Sequence, residues 1–504
     1  MRIQTSIHRR ATKRSTSRIP HRRPSLWILA GTVGLCWIAI GAGPAAGQEP
    51  PAEGDCPTLQ PQDSGPNGQD AAPIVLKEGM RVDVNGILAL QSLLPEEVWR
   101  YRETFFFEGM MMEIGPCHRR YAPATAYRKA TDLFAGQASL DRNGNLSDYT
   151  AGTPFPQEWI KSDDSQAGLK WAWNLEKRWR GAGPHGRFRI TNLPVRIGPS
   201  MRFKGKFFVF QTDQRADLPE TKYQWPGNKK VLWAEGGEFE APFSARGLAW
   251  RQFRPIKTQR RWREPDDIFV YVPSLRKMRR SGTPWVDGAF VPAYMVAGRT
   301  PGGGGMSLGT SGGINPGAGP SLAISENARS GLTGLFIRPN AYAWRVRGTQ
   351  DVIAPINGDN DGWPLRDERN YGPSGLSVAG DRWDVRHAVV IEGALRERSE
   401  TIRTVTIYVD YHTLQPLYWA TRTDKRRLVE VGILVHRYSG DAEEPPVLAD
   451  GSTLNVFEPV AASFFNALAG RGGWIRESHE VNSAPYTESE RRRMSTNHAL
   501  QRGH

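Results

Sequence analysis

The sequence predicts a mainly β protein, an α+β fold built on one large curved antiparallel sheet wrapped around a few helices. Three observations lead to this class. Apolar residues alternate with polar ones along several segments, with the two-residue period of half-buried strands. Helical patterns are few, and turn residues separate the alternating segments. The 504-residue chain also contains 17 Trp, 19 Phe and 14 Tyr, enough large side chains to cover the faces of such a sheet.

The first 47 residues have the pattern of an export signal. They contain eight Lys and Arg and no acidic residue, and the apolar run 26–43 leads into the small residues Pro44 to Gly47. A basic region, a short apolar region and a small-residue cleavage site form the layout of a secretory signal. An uncleaved anchor is the alternative, because the run approaches the roughly 20 residues that span a bilayer. We therefore expect a periplasmic or outer-membrane-associated protein.

Export changes what the composition implies. The formal net charge is +14, but removal of the signal leaves 58 Lys and Arg against 52 Asp and Glu, a net charge of +6. This excess gives little support to nucleic-acid binding, which is not expected outside the cytoplasm. Two cysteines remain, Cys56 and Cys117, and in an oxidising compartment we expect them to form a disulfide.

The chain is organised around one large domain. Residues 48–78 form a Pro- and Gly-rich linker, residues 79–480 form the β-rich domain, and residues 481–504 form a polar tail. Within the domain, residues 301–320 are a Gly-rich insertion, whose backbone entropy opposes ordering. A mobile lid and a plain loop both remain open for this insertion.

Individual elements follow from the local periodicity. Strands are predicted at 99–107, 203–210, 247–253 and 268–272, with a four-stranded antiparallel meander over 383–437. Helices are predicted at 163–174 and 458–468, with the start of a short helix at 94–99.

Residues with catalytic potential are few. Two Gly-x-Ser-x-Gly matches centre on Ser307 and Ser311, but a hydrolase elbow needs a strand before the serine and a helix after it, and neither flank is predicted. The histidines lack metal-ligand spacing. A calcium-like loop begins at Asp141 but has Gly152 where the twelfth position requires Glu. We therefore predict a non-enzymatic protein with no cofactor and no metal.

Aromatic and branched residues on strand faces are the candidate binding residues. If the sheet curves, these faces converge on one interior, which is either a filled core or a cavity for an acyl chain. The candidate lining residues are Trp99, Tyr101, Phe105, Phe107, Ile407, Val409, Val431 and Ile433. Both ways of filling the interior remain open.

Several separated blocks resemble a proteobacterial exported family of unknown function. The blocks are 146–156 with 164–174, then 267–280, 383–393 and 407–419, and the resemblance spans roughly residues 79 to 440. The block 267–280 is also similar to outer-membrane lipoprotein-sorting proteins of the LolA/LolB type. The Gly-rich insertion and the Pro-rich leader are departures from the family.

This resemblance implies a LolA/LolB-like half-barrel that encloses an apolar cavity for acyl chains, and it supplies no catalytic residues. It also implies that the protein accompanies lipid-export machinery, with a resistance-nodulation-division type transporter or an outer-membrane protein as partner. The expected function is therefore binding or shuttling of a lipid-like apolar ligand or a lipoprotein in the bacterial envelope. A structural protein that docks a transporter is the alternative, and a serine esterase is a third interpretation.

Overall fold

The structure is a computed structural model that describes residues 49–59, 73–194, 201–228, 230–273, 276–280, 335–358, 378, 381–397, 403–466, 473–494 and 500. All of these belong to the unit formed by residues 43–504. The export signal, the Gly-rich insertion 301–320 and both serines of the Gly-x-Ser-x-Gly matches lie outside the described residues. Those interpretations, and the domain boundaries, stay predictions.

The described residues form many strands, both short and long, and few helices. The strands are β1 Thr58–Leu59, β2 Ile74–Val75, β3 Arg81–Val82, β4 Met112–Cys117, β5 Ser139–Leu140, β6 Leu146–Ser147, β7 His185–Pro194, β8 Met201–Gln211, β9 Val231–Ala241, β10 Ala249–Pro255, β11 Asp267–Val272, β12 Lys277–Arg280, β13 Tyr342–Ala354, β14 Arg382–Leu395, β15 Thr404–Asp410, β16 Pro416–Arg422, β17 Leu428–Tyr438, β18 Phe457–Asn466 and β19 Gly473–Asn482. The α-helices are α1 Glu96–Arg100, α2 Arg102–Phe105, α3 Thr125–Phe134, α4 Ala167–Lys177 and α5 Glu488–Met494. None of these helices combines the length and the hydrophobicity that crossing a membrane would require.

Fifteen strands form a single sheet. Its order is β12-β11-β10-β9-β8-β7-β19-β18-β17-β16-β15-β14-β4-β3, and β13 pairs with β14 beside this path. The long strands pair antiparallel, whereas β4 runs parallel to β14. In the middle of the path β7 pairs with β19, the last strand, with Gly473 opposite Pro194 and Asn482 opposite His185. The predicted fold class, a large curved antiparallel sheet with few helices, is confirmed, and the sheet does not close into a barrel.

The predicted strands and helices agree with the structure in most places. The meander over 383–437 is confirmed as β14 to β17, and the helix predicted at 163–174 corresponds to α4, which begins at Ala167 and ends at Lys177. The strands predicted around 203–210, 247–253 and 268–272 correspond to β8, β10 and β11.

Two element predictions are wrong. Residues 99–107 are not a strand, because α1 and α2 occupy most of this segment. Pro95 at the cap and two acidic residues in the first turn favour a helix start there. In the segment 458–468, the described residues 458–466 are not helical but belong to strand β18. It lies between β17 and β19, and burial on both faces removes the alternation by which a strand is recognised.

Both faces of the C-terminal half of the sheet are covered by the chain. The 3₁₀ helix Gly86–Leu93 and the α1–α2 segment pack on one face, and α4 packs on the other. Helix α4 approaches β13 closely at Gly168, where an added Cβ would lie 2.6–2.7 Å from backbone atoms of Arg345. Glycine is required at this position because a larger residue would push α4 off the sheet.

The predicted disulfide is confirmed. Cys56 and Cys117 are bonded, with their Cα atoms 5.2 Å apart and a separation of 61 positions in sequence. The bond ties the N-terminal leader to the end of β4. In the chain-entropy account, closing a loop of this length stabilises the folded state by about 4 kcal/mol.

Candidate ligand-binding site

An apolar groove lies where three small hydrophobic clusters meet. One cluster surrounds Phe210 and Tyr486, the second surrounds Tyr127 and Ala216, and the third surrounds Leu448. The buried residues of the three clusters are distinct, and an indentation lies between them. We call it the apolar groove, and its walls come from α3, the segment 215–225, the turn 448–450 and the segment 485–491.

Helix α3 supplies one wall. Ala126, Ala130 and Leu133 recur at the i, i+4, i+7 spacing of a single helix face, and all three line the groove. Leu133 is 62% exposed although it is apolar. The groove is therefore open to solvent along this helix.

The segment 215–225 forms a second wall as a tight loop. The Arg215 amide donates to the Tyr223 carbonyl at 2.7 Å, and the Arg215 Nε donates to Asp217 Oδ1 at 2.7 Å. Lys222 and Tyr223 both adopt left-handed conformations, with φ of 56° and 62°. Such conformations cost free energy in residues with a Cβ, so the surroundings must hold the loop in place. Part of that support comes from Phe134, whose ring centroid lies 5.1 Å from that of Tyr223.

The C-terminal segment forms a third wall. The buried Tyr486 donates its hydroxyl to the Pro184 carbonyl at 3.1 Å, and its ring lies 5.4 Å from that of Phe210. Arg491 of α5 donates from Nε to the Tyr486 carbonyl at 2.9 Å. Its guanidinium carbon lies 3.6 Å from the centroid of the Trp225 ring. This cation–π contact joins α5 to the loop and fixes the aromatic side of the groove.

The groove has a volume of about 530 Å³, which lies within the roughly 300–1,000 Å³ of typical small-molecule pockets. Most of the residues around it are apolar. Its charged lining residues balance in sign, and they are Lys129, Arg215 and Arg491 against Asp217, Glu220 and Asp450. A balanced and mainly apolar lining suits the hydrocarbon part of a ligand.

A second cavity, of about 30 Å³, adjoins the groove at Arg215, which lines both. We call it the basic cavity, because its charged lining residues are four basic ones and one acidic one. They are Lys177, Arg178, Arg180 and Arg215 against Glu176. The first three lie where α4 ends and the chain turns towards β7.

Burial dominates the electrostatics of the basic cavity. Lys177 is 7% exposed and Arg178 is 4% exposed. Desolvation lowers the pKa of Lys177 to about 7, and it also lowers the pKa values of Arg178 and Arg180. Arg178 and Arg180 also line a cavity of about 10 Å³ beside His436. Burial, followed by the charge of Arg178, lowers the pKa of His436 to about 3, so this imidazole is neutral at pH 7.

A neighbouring group of buried charges is internally paired. Asp266 accepts hydrogen bonds from Arg254 Nη2 at 2.9 Å, from Arg338 Nη2 at 2.7 Å and from Gln252 Nε2 at 2.8 Å. The aspartate side chain is 0% exposed and both arginine side chains are 2% exposed. We call Arg254, Asp266 and Arg338 the paired cluster.

A third charged region lies beside β4 and β14. Arg386 and Asp410 form a fully buried ion pair of 2.7 Å. Burial acts to raise the pKa of Asp410, but Arg386 and further hydrogen bonds hold it below its ordinary value. Nearby, the Tyr121 hydroxyl donates to Asp384. Burial raises the pKa of Asp384 to about 6 despite the adjacent arginines.

The eight candidate lining residues from the sequence lie in two hydrophobic clusters, not in one. Val431 and Ile433 share a cluster with the buried Phe105 and the partly buried Trp99, Tyr101 and Phe107, whereas Ile407 and Val409 belong to the cluster beneath α4. The aromatic members pack against other side chains of the chain. Tyr101 stacks on Phe465 at 5.3 Å, and Phe105 meets Trp474 edge-on at 5.4 Å. Ligand binding by these eight residues stays a prediction.

The calcium-like loop at Asp141 is a hydrogen-bonded turn. The Asp141 Oδ1 accepts from the amides of Asn143 and Asn145 at 2.8 and 2.9 Å, which is the local pattern of an Asx turn. Among the described residues, no group of three or more His, Cys, Asp or Glu is arranged to hold a metal ion.

Sequence reasoning missed both the apolar groove and the basic cavity. The groove is assembled from segments more than 300 positions apart, and no periodicity connects them. The run Lys177-Arg178-Trp179-Arg180 is visible in the sequence, but a basic run at a helix end is ordinarily a solvated surface. Its burial emerges only from the tertiary fold.

The sequence comparison with protein families finds a match. Residues 92–293 match the family described as "Protein of unknown function (DUF1329)". This segment is less than half of the chain, and it contains α3, the loop 215–225 and the basic cavity. The resemblance to a family of unknown function is thereby confirmed for this segment. Among curated proteins, none matches the chain.

Several solved structures are similar to the chain. An outer membrane lipoprotein-sorting protein domain from Vibrio parahaemolyticus is 11% identical, with 67% of this chain and 100% of that chain covered and a TM-score of 0.37. A DUF1329 family protein from Desulfovibrio piger is 13% identical, with 67% and 99% covered and a TM-score of 0.36. A LolA superfamily protein from Nitrosomonas europaea is 14% identical, with 66% and 98% covered and a TM-score of 0.29.

Proposed function

We propose that this protein binds and carries a lipid-like molecule, whose hydrocarbon part lies in the apolar groove. The observation that carries the proposal is the groove itself, about 530 Å³ in volume and lined mainly by apolar side chains. Each CH₂ group that leaves water for such a lining contributes about 0.8 kcal/mol. A chain of several such groups therefore supplies enough free energy for stable binding.

The proposed setting is the periplasm or the outer membrane of a bacterial envelope. The basic, apolar and small-residue pattern of residues 1–47 supports export. The proposed partner is a resistance-nodulation-division type transporter or an outer-membrane protein, which would deliver or accept the lipid. Cell fractionation and the intact mass of the protein test the location, since a retained N-terminus in a cytoplasmic fraction contradicts it.

We propose that the protein acts without catalysis. The support is the character of the groove, where apolar side chains and mutually balanced charges surround the cavity. The variant Ser307→Ala/Ser311→Ala should leave lipid binding and any ester hydrolysis unchanged. Loss of a measurable hydrolysis rate in this variant would contradict the proposal and favour an esterase.

Binding to delipidated protein tests the groove directly. Titration with oleate, followed by calorimetry and by the melting temperature, should show saturable binding and a rise in melting temperature. Leu133→Trp fills the groove from its exposed helix face, so we expect at least a tenfold loss of affinity. Leu88→Trp is the matched control, because Leu88 is similarly exposed, at 58% against 62%, and lies outside the groove. Equal affinities of the two variants would contradict the groove as the binding site.

The same titration separates the groove from the lining residues predicted by the sequence. Phe105 is 0% exposed and packs against Trp474. If it belongs to a filled core, Phe105→Ala costs about 3–5 kcal/mol of unfolding free energy and leaves oleate affinity unchanged. A loss of affinity in folded Phe105→Ala protein would instead place the ligand under the sheet.

A further inference from the structure

The basic cavity contains more positive charge than its own residues neutralise. Four basic side chains and one acidic side chain line a volume of about 30 Å³. Two of the four have carboxylate partners, since Arg215 is paired with Asp217 and Arg180 lies 3.8 Å from Glu176. Arg180 still has a buried Nη1 that donates no hydrogen bond within the described structure.

The other two basic residues are hydrogen-bonded only to neutral oxygens. Lys177 Nζ donates to Gln214 Oε1 at 2.7 Å. Arg178 donates from Nε to Gln415 Oε1 at 3.1 Å and from Nη1 to the Leu175 carbonyl at 2.7 Å. In the part of the chain that the structure describes, neither residue has a carboxylate oxygen within the 4 Å of an ion pair.

Such an arrangement is costly without a counter-ion. A buried charge loses its hydration, and neutral hydrogen-bond acceptors replace only part of it. A buried lysine can avoid the desolvation cost by losing its proton, and the lowered pKa of Lys177 is consistent with this. A buried arginine cannot, because its guanidinium stays protonated in proteins. An anion in the cavity would therefore relieve the cost at Arg178.

The position of the cavity relates it to the apolar groove. Arg215 lines both. In addition, Ala126 and Ala182 line the groove, and their chain neighbours Tyr127 and Gly181 line the basic cavity. A molecule with its hydrocarbon in the groove thus has its polar end near Arg215. The cavity exceeds the roughly 10–15 Å³ that one water requires, so it has room for a small polar group.

We infer that the ligand of the groove is an anionic amphipath, whose carboxylate or phosphate oxyanion is held in the basic cavity by Lys177, Arg178 and Arg180. This inference rests on the proposed lipid-binding function and specifies its substrate class. Arg215 stands at the junction between head group and hydrocarbon. The balanced lining of the groove and the uncompensated lining of the basic cavity then correspond to the two ends of one molecule.

Four probes test the inference on delipidated, full-length mature protein. They are oleate, its neutral methyl ester, acetate as an anion without a chain, and inorganic phosphate. Calorimetry should show oleate binding at least tenfold more tightly than methyl oleate, and acetate and phosphate binding far more weakly than oleate. Equal affinities of oleate and methyl oleate would overturn the anion site while the groove proposal stands. Absence of binding by both would overturn the groove proposal and this inference with it.

Variants of the basic residues test whether the basic cavity binds the anionic head group. Lys177→Gln should lower the affinity for oleate about tenfold and leave that for methyl oleate unchanged. Lys170→Gln is the matched control, because Lys170 lies on the same helix, is paired with Asp164 and does not line the cavity. Arg178→Gln provides a second variant, and melting curves confirm that each protein is folded. If acetate or phosphate alone binds as tightly as oleate, the cavity is a site for free ions, and the inference of an anionic amphipath is overturned.

Discussion

The paired cluster and the basic cavity are neighbours, yet they treat buried positive charge in opposite ways. In the paired cluster, one buried carboxylate accepts hydrogen bonds from two buried guanidinium groups. In the basic cavity, Lys177 and Arg178 are also buried, but among the described residues they donate hydrogen bonds only to neutral oxygens. A carboxylate partner in the basic cavity would reduce the cost of burying its positive charge. The anion that we infer there would supply this missing partner.

The largest expected effect comes from breaking the paired cluster. Asp266→Asn removes the buried carboxylate that Arg254 and Arg338 share, and breaking such a buried pair typically costs about 3–5 kcal/mol. Urea unfolding measures it. Asp267→Asn, at the adjacent position, removes an exposed pair with Arg280 and should cost less than about 1 kcal/mol. Equal losses in the two variants would show that Asp266 does not organise the cluster.

The second prediction concerns the pH dependence of stability at Lys177. Its pKa is about 7 in the folded protein against 10.5 ordinarily, so between these values the unfolded chain binds more protons and stability rises with pH. Glu176, Arg180, Asp213 and Arg254 are the charged groups that act on it. We expect a gain of about 2 kcal/mol from pH 7 to 9, measured by urea unfolding. In Lys177→Met this gain should disappear, and an unchanged slope would contradict the assignment.

The third prediction concerns the pH dependence of stability at Asp384, which has the opposite sign to that at Lys177. Burial raises the pKa of Asp384 to about 6 from 3.8, so the folded protein binds more protons between these values and stability falls as pH rises. This carboxyl alone contributes a loss on the order of 1–2 kcal/mol from pH 4 to 6, whereas the lowered pKa of His436 contributes a gain in the same range. Stability of Asp384→Asn in urea unfolding should therefore rise more steeply than that of the wild type from pH 4 to 6, with the slope above pH 7 unchanged. A change above pH 7 would mean that the two regions are coupled.

Much of the fold could be predicted from local patterns. Apolar and polar residues alternate with period two along the meander from β14 to β17, and α4 carries an apolar face. Both elements could therefore be predicted from the sequence. The segment 99–107 also alternates, but Pro95 and the acidic first turn start a helix there. Strand β18 lacks alternation because both of its faces are buried. Local pattern fails where tertiary burial decides the conformation.

The candidate site was much less predictable. The aromatic strand faces around Phe105 were visible, but the residues that leave an opening are ordinary alanines and leucines of α3 and two distant segments. A cavity is a property of what packing leaves unfilled, and composition carries no signal of it. The disulfide between Cys56 and Cys117 was predictable because only these two cysteines lie outside the predicted export signal.

The pairing of β7 with β19 determines when the large sheet can finish forming during folding. The strand beginning at His185 pairs with β8 on one side and finds its second partner only when residues 473–482 are available. The two halves of the sheet therefore stay unjoined until residue 482 has been synthesised. Pairings this far apart in sequence raise the contact order and slow folding. The same pairing predicts that deletion of β19 exposes the edges of β7 and β18, and such exposed edges are templates for aggregation.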